Sequence, residues 1–327
     1  MTSDLRTAKD LALERSTLGL INSVAYSSSS RAHARNFREA TGVALPTSDI
    51  RFLEYLSGRE AVPTSLLARD LGIDLSQASR QARQLCEAGY VERATDPADR
   101  RRTLLALAPT GLALMDEWLL FWSADYRRVT ATWSGRDLID LDRWFGLVRA
   151  ALVAALPDRP TSSVPERWLA LAESENLRAE HRSLTATTIG LVSWVGQSGG
   201  FNDLLEAHDV PLRQHAFFTL RVVSHQGPLS VADVAERMGT DHSQASKRLT
   251  QLVDLGLVER AVDSFDRRSS LVRVSRRGAA LESRILEAQL EDTIGILGDI
   301  VADDRARWTG LTHRYLDELF GSAPGQR

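Results

Sequence analysis

Two short segments of this sequence place hydroxyl, amide and cationic side chains at helical spacing. These side chains are Ser76, Gln77, Ser79, Arg80 and Arg83 in the first segment, and Ser243, Gln244, Ser246, Lys247 and Thr250 in the second. Serine hydroxyls can donate to phosphates, and glutamine and arginine can form paired hydrogen bonds with adenine and guanine edges. Both segments are therefore candidate DNA-reading surfaces.

An arginine-rich turn follows each segment at the same distance. The two turns read Asp99-Arg100-Arg101-Arg102 and Asp266-Arg267-Arg268. An arginine at the tip of a hairpin can enter the minor groove, where negative potential is concentrated. The acids Asp96 and Asp99 can hold one arginine by a salt bridge while another reaches outward. We predict DNA contacts from Arg100, Arg101, Arg267 and Arg268; the alternative is a solvated turn.

Each candidate segment also carries the signals that start a helix. Asp74 and Asp241 stand where an N-cap residue is expected, and Gln77 and Gln244 follow three residues later, as in a capping box. Capping alone would explain the polar residues at these helix starts, but capping and DNA contact are compatible. On the opposite face lie apolar residues at helical spacing, namely Ala78, Ala82, Leu85 and Cys86, and Ala245, Leu249, Leu252 and Val253.

The two segments belong to an internal repeat with an offset of 167 residues. Over residues 76–93 and 243–260, ten of the eighteen aligned positions are identical. A segment with three prolines, Leu156 to Pro165, separates the copies and is typical of a linker. We predict one domain over 1–156, a linker over 157–164 and a second domain over 165–327.

Each copy shows the same order of predicted elements. In each copy we expect a long first helix (5–40 in copy one and 166–208 in copy two) and then a helix after Pro46-Thr47 or Pro211-Leu212. Two short helices follow, at 64–71 with 75–88 in copy one and at 231–238 with 242–255 in copy two. A hairpin, at 90–95 with 103–108 or at 257–262 with 270–274, and two closing helices complete each copy. The predicted fold class is mainly α with small β-wings (α+β). It consists of two winged helix-turn-helix domains in tandem, joined through long N- and C-terminal helices.

Charge is concentrated in the repeated segments. The net charge of the chain is −3, yet residues 76–111 carry +2 and residues 243–278 carry +4, so the remainder carries −9. Uninterrupted apolar runs long enough for a membrane span are absent from the sequence, and its start shows no secretory signal. The single cysteine, Cys86, fits a reducing cytoplasm. We expect a cytoplasmic protein that is nucleoid-associated when bound to DNA.

Other kinds of site find little support in the sequence. The chain has no Gly-x-Gly-x-x-Gly after a predicted strand, no Gly-x-x-x-x-Gly-Lys-Ser/Thr and no His-Glu-x-x-His, so we predict no enzyme and no cofactor. The seven histidines lack metal-ligand spacing, so we predict no metal site. Cys86 is either an oxidation sensor or, as its apolar neighbours favour, a buried small hydrophobe.

An aromatic group follows the first wing and has no counterpart in the second copy. Trp118, Phe121 and Trp122 align with Ile285, Ala288 and Gln289. A tryptophan pair one helical turn apart usually packs in a core. The asymmetry also allows a pocket for an aromatic ligand, and the residues assigned to it are Trp118, Phe121, Trp122 and Tyr26.

The motifs together resemble the MarR family of bacterial winged-helix regulators. They are the helix pair, Gly-(Tyr/Leu)-Val-Glu-Arg at 89–93 and 256–260, Asp-x-x-Asp-Arg-Arg at 96–101 and 263–268, and a glycine, Gly111 or Gly278, that opens a long helix. The resemblance implies dimerisation through terminal helices, binding of double-stranded DNA at pseudo-palindromic operators, and release by small aromatic ligands.

The duplication distinguishes this chain from the usual family member, which carries one such domain. We therefore expect a monomer acting as an intramolecular pseudo-dimer. Its expected function is that of a sequence-specific transcription regulator, a repressor released by an aromatic effector. The alternatives are a winged-helix protein-interaction module without DNA binding and an enzyme that uses winged lobes to dimerise.

Overall fold

The computed structural model describes residues 11–27, 31–71, 73–97, 99–100, 102–155, 164–172, 177–196, 205–238, 240, 242–262, 270–297 and 304–320. Copy one contains α1 (Ala12–Ser27), α2 (Arg31–Thr41), α3 (Thr47–Ser57), β1 (Val62–Pro63), α4 (Thr64–Leu71), α5 (Leu75–Glu87), β2 (Val91–Thr95), β3 (Thr103–Leu107), α6 (Pro109–Val129) and α7 (Gly135–Ala155). Copy two contains α8 (Val164–Ala172), α9 (Ala179–Gly196), α10 (Gln214–Gln226), β4 (Leu229–Ser230), α11 (Val231–Arg237), α12 (His242–Asp254), β5 (Val258–Val262), β6 (Ser270–Val274), α13 (Arg276–Leu297) and α14 (Arg305–Phe320).

This element order confirms the predicted fold class of helices with two small β-wings. Each sheet is antiparallel, with the strand order β1-β3-β2 in copy one and β4-β6-β5 in copy two. In the first sheet Leu105 pairs with both Val62 and Arg93, and in the second sheet Val272 pairs with both Leu229 and Arg260. The outer strands β1 and β4, of two residues each, were not predicted from the sequence.

The prediction of one long first helix in each copy is wrong. Copy one has separate helices α1 and α2, and copy two has α8 and α9. The predicted first helices contain residues of low helix propensity, Ser27 to Ser30 in copy one and Ser174 with Asn176 in copy two. In copy two, the described residues Leu177 and Arg178 ahead of α9 are not helical.

Glycines are required where each helix-turn-helix meets its wing. Gly89 and Gly256 follow α5 and α12 with φ of 79° and 67°, the left-handed conformation that glycine adopts at low cost. Gly111 and Gly278 lie in the first turns of α6 and α13, where a Cβ would stand 2.1 Å from the carbonyl oxygens of Tyr90 and Leu257 respectively. The positive φ of the first pair and the close approaches at the second explain why both pairs of glycines persist in the repeat.

The described residues pack into two cores of unequal extent. The first core belongs to head one, which we define as α2 to β3 with the first half of α6, and includes Phe37, Phe52 and Trp118. The second core fills a central bundle of α1, α7, α9, α14 and the later halves of α6 and α13. This second core continues without a break into head two, which we define as α10 to β6 with the first half of α13. Head two and the bundle therefore share one core, whereas head one has its own.

The bundle interlocks the two copies. Helix α1 of copy one packs against α13 and α14 of copy two, and α9 of copy two packs against α7 of copy one. The rings of Trp144 and Trp308 stack with centroids 4.9 Å apart. Fully buried Glu14 pairs with Arg305, 291 residues away in sequence. The terminal helices thus join the copies, as the sequence predicted.

None of the described helices combines the length and the apolar character that a membrane span requires.

Candidate nucleic-acid interface

Helix α5 begins at the N-cap that the sequence predicted. The Asp74 carboxylate accepts a hydrogen bond from the backbone N–H of Gln77 at 2.7 Å and another from the Ser76 hydroxyl at 2.5 Å. These bonds, the Ser76 one first, lower the pKa of Asp74. The cap therefore orients the first turn of α5 and holds the Ser76 hydroxyl at its surface.

The two faces of α5 separate core residues from exposed ones. Ala78, Ala82 and Leu85 are buried, while Arg80 and Arg83 are exposed. Ser76 is exposed, and Gln77 and Ser79 are half-buried. Arg80 donates to the Ser76 hydroxyl at 3.4 Å, which places a cation beside it. All five predicted residues of this segment lie on one helix, and its exposed face carries a hydroxyl and two guanidinium groups.

Helix α12 has a corresponding face in copy two. Ser243, Gln244, Lys247 and Thr250 are exposed, and Ser246 is half-buried. A groove of about 960 Å³ runs along this face, with Ser243, Ser246, Lys247 and Thr250 among its lining residues. The apolar side of the helix, with Ala245, Leu249 and Leu252, is buried as predicted. The polar face of α12 is therefore open and concave.

The first wing holds one arginine against an acid, as expected. The Arg102 guanidinium lies 3.8 Å from the Asp96 carboxylate, and the Asp96 N–H donates to the Arg102 carbonyl at 3.0 Å. Arg100, at the tip of this wing, is exposed. Arg101 lies outside the described residues, as do Arg267, Arg268 and the rest of the second wing tip. Asp96 thus pairs with Arg102, and Arg100 is exposed at the tip of the same wing.

Two features of this surface were not singled out from the sequence. Arg93 of β2 donates to the Ser79 carbonyl at 3.1 Å and so joins the wing to α5. The recurrence of Val-Glu-Arg in both copies was the available signal. Leu75, the first residue of α5, is 54% exposed, and its counterpart His242 is exposed as well. An exposed leucine at this position can contact a thymine methyl group.

The aromatic residues after the first wing form a packed cluster. Trp118 is buried and donates to Glu54 at 2.8 Å, while His33 and Phe37 contact its ring edge-on. These contacts are those of core packing. Phe121 and Trp122 are half-buried, and the side chain of Tyr26 lies outside the described residues. An aromatic-ligand pocket at this cluster stays a prediction.

Two further predictions concern metal and thiol chemistry. Within the described parts of the chain, no three histidine, cysteine, aspartate or glutamate side chains are grouped so as to hold a metal. Cys86 is half-buried and packs against the core of head one. Its position on the apolar side of α5 favours the packing interpretation over the sensor.

Both heads are similar to a known protein family. Residues 45–102 and 208–269 each match the model of the MarR family. No curated protein matches the chain.

Among solved structures, similarity is found to RV1404 from Mycobacterium tuberculosis, with 20% identity over 38% of this chain and 84% of that one and a TM-score of 0.35. A MarR family protein from Bacillus stearothermophilus is 17% identical over 36% of this chain and 81% of that one, with a TM-score of 0.33. The MepR–DNA complex from S. aureus is 21% identical over 31% of this chain and 82% of that one, with a TM-score of 0.26.

Proposed function

We propose that this chain, both of whose heads match the MarR family model, is a DNA-binding transcription regulator whose two heads bind the two halves of one operator. The observation that carries this proposal is the matched pair of helices α5 and α12. Each buries an apolar side. The other side of α5 exposes a hydroxyl and two guanidinium groups, and the other side of α12 exposes hydroxyl, amide and ammonium groups. The positive charge of the chain is concentrated around the same two helices, as expected where a protein meets phosphates.

We further propose that the protein is a repressor and that a small aromatic molecule releases it. Support comes from the position of Trp122, which packs against the core of head one and also against the core of the bundle. A ligand stacking on Trp122 would act where head one meets the rest of the molecule. Such a ligand lowers operator affinity if it favours a different head position.

A gel-shift titration against the DNA upstream of the chain's own gene tests the function. We expect a discrete complex that survives excess unrelated duplex. Excess specific duplex should abolish the complex. The rival function, a protein-interaction module, predicts equal and weak binding to both duplexes.

The operator is expected to be a near-palindrome with one asymmetric flank. Ser-Gln-Ala-Ser is common to α5 and α12, whereas Arg83 of α5 corresponds to Thr250 of α12. Arginine can bind guanine through two hydrogen bonds and threonine cannot, and such a contact discriminates by about 1–3 kcal/mol. Selection from randomised duplexes should return a guanine in one half-site only. Replacing Arg83 with threonine should remove that guanine from the selected site, and a symmetric site for the unaltered protein would contradict the assignment.

Arg100 and Gln77 are expected to contribute to DNA binding in different ways. Arg100→Ala should weaken binding by about 1–3 kcal/mol on every sequence and reduce the slope of log affinity against log salt by about one. Gln77→Ala should change base preference and leave that slope unaltered. Fluorescence anisotropy at several salt concentrations, on the selected operator and on single-base variants, measures both. If Arg100→Ala changed base preference and Gln77→Ala acted uniformly, the two roles would be reversed.

A further inference from the structure

The position of head one relative to head two requires an explanation. Head two shares its core with the bundle, but head one packs around a separate core. A separately packed body can move as a unit unless particular contacts hold it. Such contacts would determine the separation of α5 and α12, and hence which DNA both helices can engage.

Arg51 and His215 form a direct contact between the heads. Nη1 of Arg51, on α3 of head one, lies 3.3 Å from Nε2 of His215, on α10 of head two. Burial, followed by the charges of Arg51 and Arg248, lowers the pKa of His215 to about 3. A neutral His215 can carry its proton on Nδ1 and accept a hydrogen bond from Arg51 through Nε2.

Arg51 is attached to the interior of head one. Glu54, one turn along α3, attracts Arg51 electrostatically. The same Glu54 carboxylate lies 3.2 Å from Nε2 of His33 and accepts from Trp118. Burial alone would raise the pKa of Glu54, but His33, Trp118 and Arg51 lower it, so the carboxylate stays charged. Arg51 is thereby held from within head one.

The contact is also coupled to α5 and α12, which we call the two reading helices. On the side of head one, Gln81 of α5 donates to Asp49 of α3 at 2.9 Å, so α3 and α5 are tied together. On the side of head two, α10 packs directly against α12, and Arg248 of α12 acts on His215. A change at the contact therefore reaches both helices.

The repeat does not supply a second copy of this contact. At the offset of 167 residues, Arg51 corresponds to Phe218, which is buried, and His215 corresponds to Ser48, which is exposed. Neither counterpart can reproduce an arginine-to-imidazole hydrogen bond. The two heads are therefore joined by an asymmetric contact, which a duplicated single chain permits.

We propose that Arg51 and His215 are positioning residues that set the separation of the two reading helices and so select the spacing between operator half-sites. The proposal rests on the proposed function for its DNA consequence, but the separation of the helices can be measured without DNA.

The first test measures that separation by pulsed electron spin resonance. Spin labels are placed at the matched, exposed ends of α5 and α12 through E87C and D254C in a C86S background. We expect one narrow distance distribution for this protein. Arg51→Ala and His215→Leu should broaden and shift it, whereas His215→Gln, which keeps an acceptor, should preserve it.

Matched controls separate this effect from loss of folding. Arg59→Ala removes an arginine that lies over the Tyr55 ring in head one, and His313→Leu removes an exposed histidine of α14. Both controls should keep the narrow distribution. The proposal is overturned if Arg51→Ala and His215→Leu leave the distribution unchanged, or if His215→Gln behaves like His215→Leu.

The second test uses duplexes whose half-sites are moved apart or together by one and two base pairs. We expect the unaltered protein to prefer one spacing, and Arg51→Ala to reduce that preference about fivefold, the effect of one lost hydrogen bond. Binding to an isolated half-site should not change. An undiminished preference in Arg51→Ala overturns the proposal. If the unaltered protein bound no duplex, the proposed function would fail while the label distances still decided the role of the contact.

Discussion

Gly278→Ala is expected to destabilise the protein by about 3 kcal/mol, the upper range for overpacking. A Cβ at this position would stand 2.1 Å from the Leu257 carbonyl oxygen and 3.0 Å from a methyl carbon of Val274. The Leu257 carbonyl cannot move away freely, because it accepts a hydrogen bond from the Ser275 N–H at 3.0 Å. Since head two shares its core with the bundle, the loss of stability should appear as a lower free energy of global unfolding by denaturant.

Gly146 offers a matched control for this substitution. It lies inside α7, and nothing stands within 4 Å of the Cβ that alanine would add there. Gly146→Ala should therefore stabilise the protein by about 0.5–1 kcal/mol through helix propensity. If Gly278→Ala lowered the free energy of unfolding by less than about 1 kcal/mol, roughly the mean effect of a point mutation, this result would contradict the close packing of α13 on the turn after α12.

Arg305→Ala is expected to cost about 3 kcal/mol, because it leaves a buried carboxylate without its ion-pair partner. That carboxylate belongs to Glu14, which is fully buried on α1, whereas Arg305 is on α14. The pair joins the first described helix of copy one to the last described helix of copy two. Its loss should therefore weaken the bundle that holds the copies together.

Two further variants isolate the effect of the unpaired charge. Adding Glu14→Gln to Arg305→Ala removes the buried charge and should restore part of the loss. Arg136→Ala removes a guanidinium that is 82% exposed and lies 3.8 Å from Asp140, so it should change stability by less than about 0.5 kcal/mol. Denaturant titration of the unaltered protein, of the two single variants and of the double variant measures these changes in the free energy of unfolding. Equal effects of Arg305→Ala and Arg136→Ala would contradict the interlocked bundle.

Local signals in the sequence were sufficient to predict the elements of each head. The cap Asp74, the glycines Gly89 and Gly256 and the alternation of apolar residues each act within a few residues of the structure they specify. The helix pairs and hairpins therefore lie close to their predicted bounds. The two-residue strands β1 and β4 are too short to show any alternation.

Contacts between distant parts of the chain were not predictable in the same way. The sequence suggested that terminal helices join the copies, but the pairing of α1 with α14 depends on which apolar faces meet in space. The contact of Arg51 with His215 has no counterpart in the repeat, so the repeat could not indicate it. Arg93 was overlooked because its partner is a backbone carbonyl, which every residue possesses.

We propose that one chain supplies both heads for one operator. Native mass spectrometry of the complex with the selected duplex, at equimolar concentrations and then with a twofold excess of protein, tests it most directly. We predict one chain per duplex in both mixtures. Two chains on each duplex at saturation would show that the heads of one chain do not share an operator.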